Sequence, residues 1–514
     1  MKAFSVQRSL LILLCGWMLG AVSVRGGGDD GTSPPNIVFI LADDLGYGEL
    51  GCYGQQKIRT PAIDQLARQG IRLTDHHSGA PVCAPARCTL MTGAHLGHAE
   101  IRGNKKSGNG RVYPGQWPIS DEVVTITEVL ADAGYATGGF GKWGLGPTDT
   151  TGSPLRHGFD RFFGYNCQRL AHSYYPLYLD DDDRQVLINP FPIPGHFRQP
   201  EGPVDADDYR GRTYAPKRIL SEAIKFLDHH VQSDGDRPFF LYLPFVEPHV
   251  AMQPPQKWID AYPKSWDDAV GPYRGDNGYL PHPRPRSAYA AMISDLDEHV
   301  DTILKRLTRH GLDENTIVVF TSDNGPTHGG SNPDFHIGGA ACKFFESNGP
   351  FRGYKGSCYE GGLRVPAIVR WPGRVPAGTT GDAISYFPDW FTTLCSVAGR
   401  DVPKGQPIDG VDLMPHLLSG GSQAIQRNKP LVWNYSGYGG ILAIRDGRYK
   451  AIRRDMLKRQ PAPWELYDLQ SDPGEQTDLA DAEPAVLDRM VKAMMDDRTA
   501  EPDFPMPRLD DATP

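Results

Sequence analysis

The chain has 514 residues, with 53 basic against 62 acidic side chains, 39% hydrophobic residues and 10% aromatic ones. That length can bury a large core and carry one big α/β domain with a smaller companion. A net charge of −9 excludes a surface that wraps polyanions, so no nucleic-acid partner is expected, although a local basic pocket stays open.

Met1 to Ser23 has the build of a signal peptide: Lys2 and Arg8 precede the apolar run Leu10 to Leu14, and Ala21-Val22-Ser23 offers a small-residue cleavage site. Export to the periplasm or beyond is expected. Cys15 follows Leu14, which is too bulky for a good lipoprotein signal. Cleavage removes two basic residues from 53, leaving 51 against 62 acidic ones and a net charge of −11. No other apolar run is long enough to span a bilayer, so no transmembrane segment is expected. Residues 24–35, rich in Gly, Asp and Pro, read as a flexible leader.

Asn36 to Ala42 is a continuous apolar run, as in a strand buried on both faces, and it ends in Asp43-Asp44. Adjacent carboxylates at a strand end are unfavourable unless something positive lies between them. Thr60 to Gly70 reads as a helix, and a strand-like piece leads into the loop at Cys83. Pro85 lacks an N–H and has a fixed φ, which suits a first helical turn and places Cys83 near an N-cap. That helix should run to Met91 or Thr92, its dipole facing any anion at residue 83, with Arg87 returning to the same face one turn on. A free cysteine buried beside a helix is the plainer alternative.

Farther on, Ile126 to Ala133 reads as a helix and Tyr135 to Phe140 as a strand delivering Lys142. Phe159 to Pro176 is aromatic and loop-like, either packing or a sugar-facing wall, with His172 its notable polar residue. Asp180 to Asp183 reads as a solvated loop. A helix from Ala215 to His229 places His229 and His230 at an exposed end. The strand Phe239 to Leu243 then leads to Glu247-Pro248-His249. The helix Ser287 to Leu307 precedes the strand Thr316 to Phe320, which ends in Asp323-Asn324. This alternation argues for a doubly wound sheet over a catalytic domain at 36–428. Two strand segments, Leu442 to Arg453 and Trp464 to Leu469, and a helix from Pro484 to Met495 make a small α+β subdomain at 429–514.

Open α/β sheets bind ligands in the crevice at the carboxyl ends of their strands, where Asp43, Asp44, Cys83, Arg87, Lys142, His249, Asp323 and Asn324 would gather. Asp43, Asp44, Asp323 and Asn324 offer only oxygen, so a hard cation is expected, Ca²⁺ before Mg²⁺, and zinc fits poorly.

The motifs together resemble a known family. Cys83-Ala84-Pro85-Ala86-Arg87 has the C-x-P-x-R form of type I sulfatases, and the resemblance extends through Asp43-Asp44, Gly141-Lys142-Trp143, Glu247-Pro248-His249, Thr321 to Gly325, Phe351 to Gly356, Tyr359 to Pro366 and Glu465 to Ala480. The chain is similar to the arylsulfatase A and N-acetylgalactosamine-6-sulfatase-like group of the alkaline phosphatase superfamily. That resemblance implies a large mixed, mostly parallel sheet sandwiched by helices, with a small C-terminal antiparallel sheet. It implies hydrolysis of sulfate esters, on sulfated sugars or aryl sulfates, by a formylglycine made from Cys83 by a formylglycine-generating enzyme. Cys83 would then join Asp43, Asp44, Asp323 and Asn324 around the cation. Lys142, His249 and Lys355 would hold the sulfate, with His249 the general acid. The family commonly reads G-K-W-H-L-G where this chain has Gly144, so a base is missing; His172, or else His95 or His98, is the expected substitute. If Cys83 is converted, six mature cysteines remain, and Cys342 with Cys358 is the pairing expected. Phosphonate or phosphate ester hydrolysis, and an inactive sulfated-glycan-binding protein, are the alternatives.

Overall fold

The strand Asn36–Ala42 sits inside a ten-stranded sheet, parallel to Thr316–Ser322 on one side and to Phe239–Pro244 on the other. The computed structural model describes residues 34–107, 115–235, 237–330, 332 and 334–510; the expected signal peptide and most of the leader lie outside them. From Phe239–Pro244 the sheet continues through Ala136–Lys142 and Arg161–Tyr165, again parallel. Its far edge is the antiparallel hairpin Tyr178–Asp181 and Arg184–Leu187. Beyond Thr316–Ser322 come Ala367–Arg370 and Ile71–Leu73, both antiparallel joins, and then Thr379–Gly381. The sheet is thus mixed and mostly parallel at its centre.

Every residue of Asn36–Ala42 is buried, and the period-two alternation of a strand divides the core in two. Ile37, Phe39 and Leu41 join Tyr242 and Val319 on one face, against the helices Cys83–Thr92 and Phe387–Val397. Val38, Ile40 and Ala42 face the helices Ala215–Ser233 and Pro285–Arg309. All ten residues of Cys83–Thr92 are buried, and Gly93 ends that helix at φ 71°, its N–H donating to the Thr89 carbonyl at 3.1 Å.

The C-terminal antiparallel sheet orders Leu431–Tyr435, Ile441–Asp446, Tyr449–Arg453 and Trp464–Asp468. Trp433 and Tyr435 join the first core, while Val432, Leu442, Ile444 and Leu466 meet Met490 and Met494 of the helix Pro484–Asp496. Among the described residues no helix is long and apolar enough to cross a membrane.

Several expectations need correction. Arg161–Tyr165 is a strand of the main sheet, because its aromatics serve as core on both faces. Asp180 is buried within the edge hairpin, and only its neighbours toward the turn are solvated. The helix from Ala215 continues to Ser233, so His230 turns inward, pairs with the Arg237 carbonyl at 3.0 Å and packs on Phe226 and Phe239. Cys342 and Cys358 do not pair: they belong to the cores on opposite faces of the sheet, and the seven described cysteines are all free thiols.

Candidate active site

The parallel ladders run slightly past the strands and bring the acidic ends side by side. Asp43 N–H donates to the Glu247 carbonyl and Asp323 N–H to the Ala42 carbonyl, each at 3.0 Å. Asp44 then takes φ 66°, a left-handed turn that aspartate tolerates better than bulky residues, and its N–H donates to Asp323 Oδ1 at 3.1 Å. Asn324 Nδ2 donates to Asp44 Oδ1 at 2.8 Å. Four oxygen-bearing side chains are thereby fixed by backbone geometry.

Cys83 opens its helix facing them. Its Sγ lies 3.4 Å from Asp43 Oδ1 and 3.3 Å from Lys355 Nζ. Lys142 Nζ lies 2.5 Å from Asp43 Oδ2, and Lys355 Nζ 2.6 Å from Asp44 Oδ1. Arg87 reaches across from the second helical turn. Its Nε and Nη2 donate to Asp323 Oδ2 at 3.1 and 2.7 Å, Nη2 is 3.5 Å from Asp43 Oδ2, and Nη1 donates to the Lys142 carbonyl. The first-turn N–H of Ala84 is taken by Asn104 Oδ1 at 3.1 Å, an anchoring contact with no sequence signal of its own.

His249 completes the floor. Its Nδ1 lies 2.5 Å from the Val250 carbonyl, which can only accept, so Nδ1 carries the hydrogen and Nε2, 3.7 Å from Asp44 Oδ2, is the bare nitrogen. The His172 ring stacks on it with centroids 5.0 Å apart. His172 Nδ1 faces His196 Nε2 at 2.9 Å, and His196 Nδ1 faces the Gly278 carbonyl at 2.9 Å. The same accounting makes His172 Nδ1 a donor and leaves its Nε2 unprotonated. His196 and Tyr279, which pack around this pair, were not foreseen; both stand in loops whose nearness to His249 no local pattern carries. His95 and His98 stack on each other and face Asp409 and Asp497, in a cluster separate from Cys83.

Burial dominates the titration of this site. Burial opposes ionisation of Asp43, yet Lys142, His249 and Arg87 outweigh it and hold the carboxyl well below its usual range. Burial and the Asp43 charge push Asp323 up to about 6 and the Cys83 thiol up to about 12. His249 is held well below the ordinary histidine range by burial and then by Lys355, and His172 by burial and then by His249. Burial works against a charged Lys355, but Asp44 and then Cys83 and Asp43 keep its pKa well raised. At neutral pH the site therefore holds a cationic Lys355, neutral imidazoles and a protonated thiol.

The donor set fits a hard cation. Asp43, Asp44, Asp323 and Asn324 are fully buried or nearly so, and Asn324 Oδ1 is buried without a hydrogen-bond partner. Asp43 and Asp44 also share a cluster with Cys83 and His249 in which one ligand atom from each lies within 4.8 Å of the others.

A Sulfatase family model matches residues 35–400, and one for the C-terminal region of N-sulphoglucosamine sulphohydrolase matches 353–500. N-acetylgalactosamine-6-sulfatase of Canis lupus familiaris is 32% identical over 456 residues, 85% of this chain and 75% of that protein. Arylsulfatase A of Homo sapiens is 32% identical over 511 residues, 90% of this chain and 88% of that protein. Among solved structures, Ps i-CgsB in complex with k-i-k-neocarrahexaose superposes with a TM-score of 0.73 at 25% identity, covering 93% of this chain and 98% of the other.

Proposed function

The chain belongs to the sulfatase family and hydrolyses sulfate esters, and from that premise we propose that it does so with a formylglycine made from Cys83 and a bound Ca²⁺, on sulfated carbohydrates outside the cytoplasm. The observation that carries this reading is the place of Cys83, wedged between Asp43 Oδ1 at 3.4 Å and Lys355 Nζ at 3.3 Å. With its pKa pushed up to about 12, the thiol stays protonated and is a poor nucleophile. Oxidation to the hydrated aldehyde supplies two hydroxyls instead. One attacks sulfur and expels the alcohol; loss of the proton from the other re-forms the carbonyl and expels sulfate, an exit that serine lacks.

Each neighbour has a role that its geometry allows. Asp43, Asp44, Asp323 and Asn324, with residue 83, would hold the cation, which would draw charge from a sulfate oxygen when bound. Lys142 and Lys355 meet the sulfate charge. His249 Nε2 is bare in the resting site; an anionic ester beside it raises its pKa and lets it carry the proton to the leaving oxygen. Arg87 keeps the nucleophile's helix registered on Asp323. His172, with Nε2 unprotonated, is the base for the hydrate. Sugar substrates are supported by the name of the relative N-acetylgalactosamine-6-sulfatase. Tyr174 and Tyr175 are buried and pack on Tyr214, so that part of the aromatic stretch is core, while Tyr279 stands beside His172 and His249.

The test is the mass of the tryptic peptide Leu73 to Arg87 from protein co-expressed with a formylglycine-generating enzyme, followed by turnover of 4-nitrophenyl sulfate against 4-nitrophenyl phosphate. The aldehyde at residue 83 with faster sulfate turnover is expected. A persistent thiol, under conditions that convert a control sulfatase, sinks the formylglycine assignment. Preference for the phosphate ester moves the chemistry to phosphorus. An oxidised residue 83 that binds sulfated sugar without turnover marks a binding protein.

A further inference from the structure

The strands Ala136–Lys142 and Arg161–Tyr165 lie parallel with Lys142 opposite Tyr165, and Trp143 N–H extends the ladder to the Tyr165 carbonyl at 2.9 Å. The chain leaving each strand therefore runs beside the other, which sets Gln168 against Gly144. Gly144 has φ 81°, and a Cβ built on it would stand 3.0 Å from Gln168 Nε2 and 3.5 Å from Arg87 Cδ. One small volume thus touches the backbone after Lys142, the stem of the arginine one turn from residue 83, and the amide of Gln168. Gln168 is only 8% exposed, and its Nε2 is buried without any hydrogen-bond partner. Buried donors are rarely left unpaired, and an orphan in a site wall points to a partner that arrives with the ligand.

We infer that Gln168 is a binding residue of this active site, its amide nitrogen donating to an oxygen seated between Gly144 and the Arg87 stem. That oxygen comes either from the bound sulfate or from the oxidised side chain of residue 83. The inference rests on the sulfatase reading above. A carboxamide neither gains nor loses a proton in the working range, so Gln168 fixes an oxygen in place and is not the missing base. Glycine at 144 is required by the same arrangement: its φ is in the left-handed region, and any side chain there would enter the space of the amide.

The test uses the full-length protein with residue 83 oxidised. Gln168→Met keeps the volume and removes the donor; Gly144→Ala pushes on the same amide from the other side. Both are expected to lower kcat/KM for 4-nitrophenyl sulfate about tenfold, the share of one hydrogen bond to a charged group, without altering the shape of the pH profile. The double variant should lose little more than either single one. The source of the oxygen is read in a Cys83→Ala background by calorimetric binding of inorganic sulfate. Weaker binding on adding Gln168→Met assigns the oxygen to sulfate; equal binding, with the loss confined to kcat in the oxidised enzyme, assigns it to residue 83. If Gln168→Met keeps kcat/KM within twofold and binds sulfate equally well, the amide only fills space and the inference fails. Unsubstituted protein that neither binds sulfate nor turns over the aryl sulfate sinks the sulfatase reading itself, and this inference with it.

Discussion

Glu49 offers a prediction whose sign reverses with pH. Its carboxylate is fully buried behind the Asp44 turn, where Oε2 accepts from Gly46 N–H and Oε1 from the Tyr289 hydroxyl, both at 2.7 Å. No cation pairs with it among the described ion pairs, and burial pushes its pKa up from 4.5 to about 7. A carboxyl whose pKa is raised by folding contributes its full stability below the unfolded value. That contribution is lost as pH rises through the folded value. The gap of about 2.5 units corresponds to a penalty of about 3 kcal/mol once the group is ionised. Glu49→Gln removes the ionisation and keeps the shape. Its amide can still accept from Gly46, but the Tyr289 contact must reverse, at about 1 kcal/mol. The variant should therefore be about 2 kcal/mol more stable than the parent at pH 8 and about 1 kcal/mol less stable at pH 4. Urea unfolding followed by tryptophan fluorescence at the two pH values checks this. A stability difference that does not change between pH 4 and pH 8 would refute the reasoning, because the carboxyl would then titrate alike in both states.

Three further outcomes are expected around the active site. Chelation with EDTA should abolish turnover, and Ca²⁺ should restore it better than Zn²⁺, because the donors at Asp43, Asp44, Asp323 and Asn324 are all oxygen; preferential rescue by Zn²⁺ refutes the hard-cation assignment. His172→Ala should lower kcat and remove the acidic limb of the pH profile, which lies below 6.5 because burial and His249 depress the imidazole; unchanged turnover and profile remove His172 from the mechanism. Arg87→Met should destabilise the fold by about 3–5 kcal/mol in EDTA, since Asp323 loses its buried ion-pair partner, and by less with Ca²⁺ present; a loss below about 1 kcal/mol in denaturation experiments speaks against the pairing.

What the sequence could disclose was set by the range of the interactions involved. Asn36 to Ala42, Phe239 to Leu243 and Thr316 to Phe320 are apolar runs that give way to charge within a few residues, and the parallel ladder brings the three ends into one place. The helix from Cys83 was readable because Pro85 marks its first turn locally. The strand Arg161–Tyr165 was not, since Phe162 and Phe163 are equally suited to a loop wall until a neighbouring strand fixes which faces they serve. His196 and Tyr279 come from separate loops and converge on His172 only in three dimensions. The pairing of Cys342 with Cys358 rested on their number and neighbourhood in the chain, and the sheet that stands between them has no representation in either.

The departure at Gly144 shows how a site can resist sequence reading even when its motif is recognised. A missing histidine invites a search among the other histidines, and that search led to His172, which stacks on His249, and to His95 and His98, which face Asp409 and Asp497. The space beside Gly144 is instead met by an amide 24 positions along the chain, which comes near because Lys142 and Tyr165 are sheet partners. Two functions that one imidazole could combine, holding an oxygen and accepting a proton, need not stay on one residue. Gln168 can do the first and cannot do the second. If the holding role falls to Gln168, the proton must leave by another group, and His172, stacked on His249 with its Nε2 unprotonated, is the group we propose for it. The two substitutions then separate cleanly: Gln168→Met should change rate without changing the pH profile, and His172→Ala should change both.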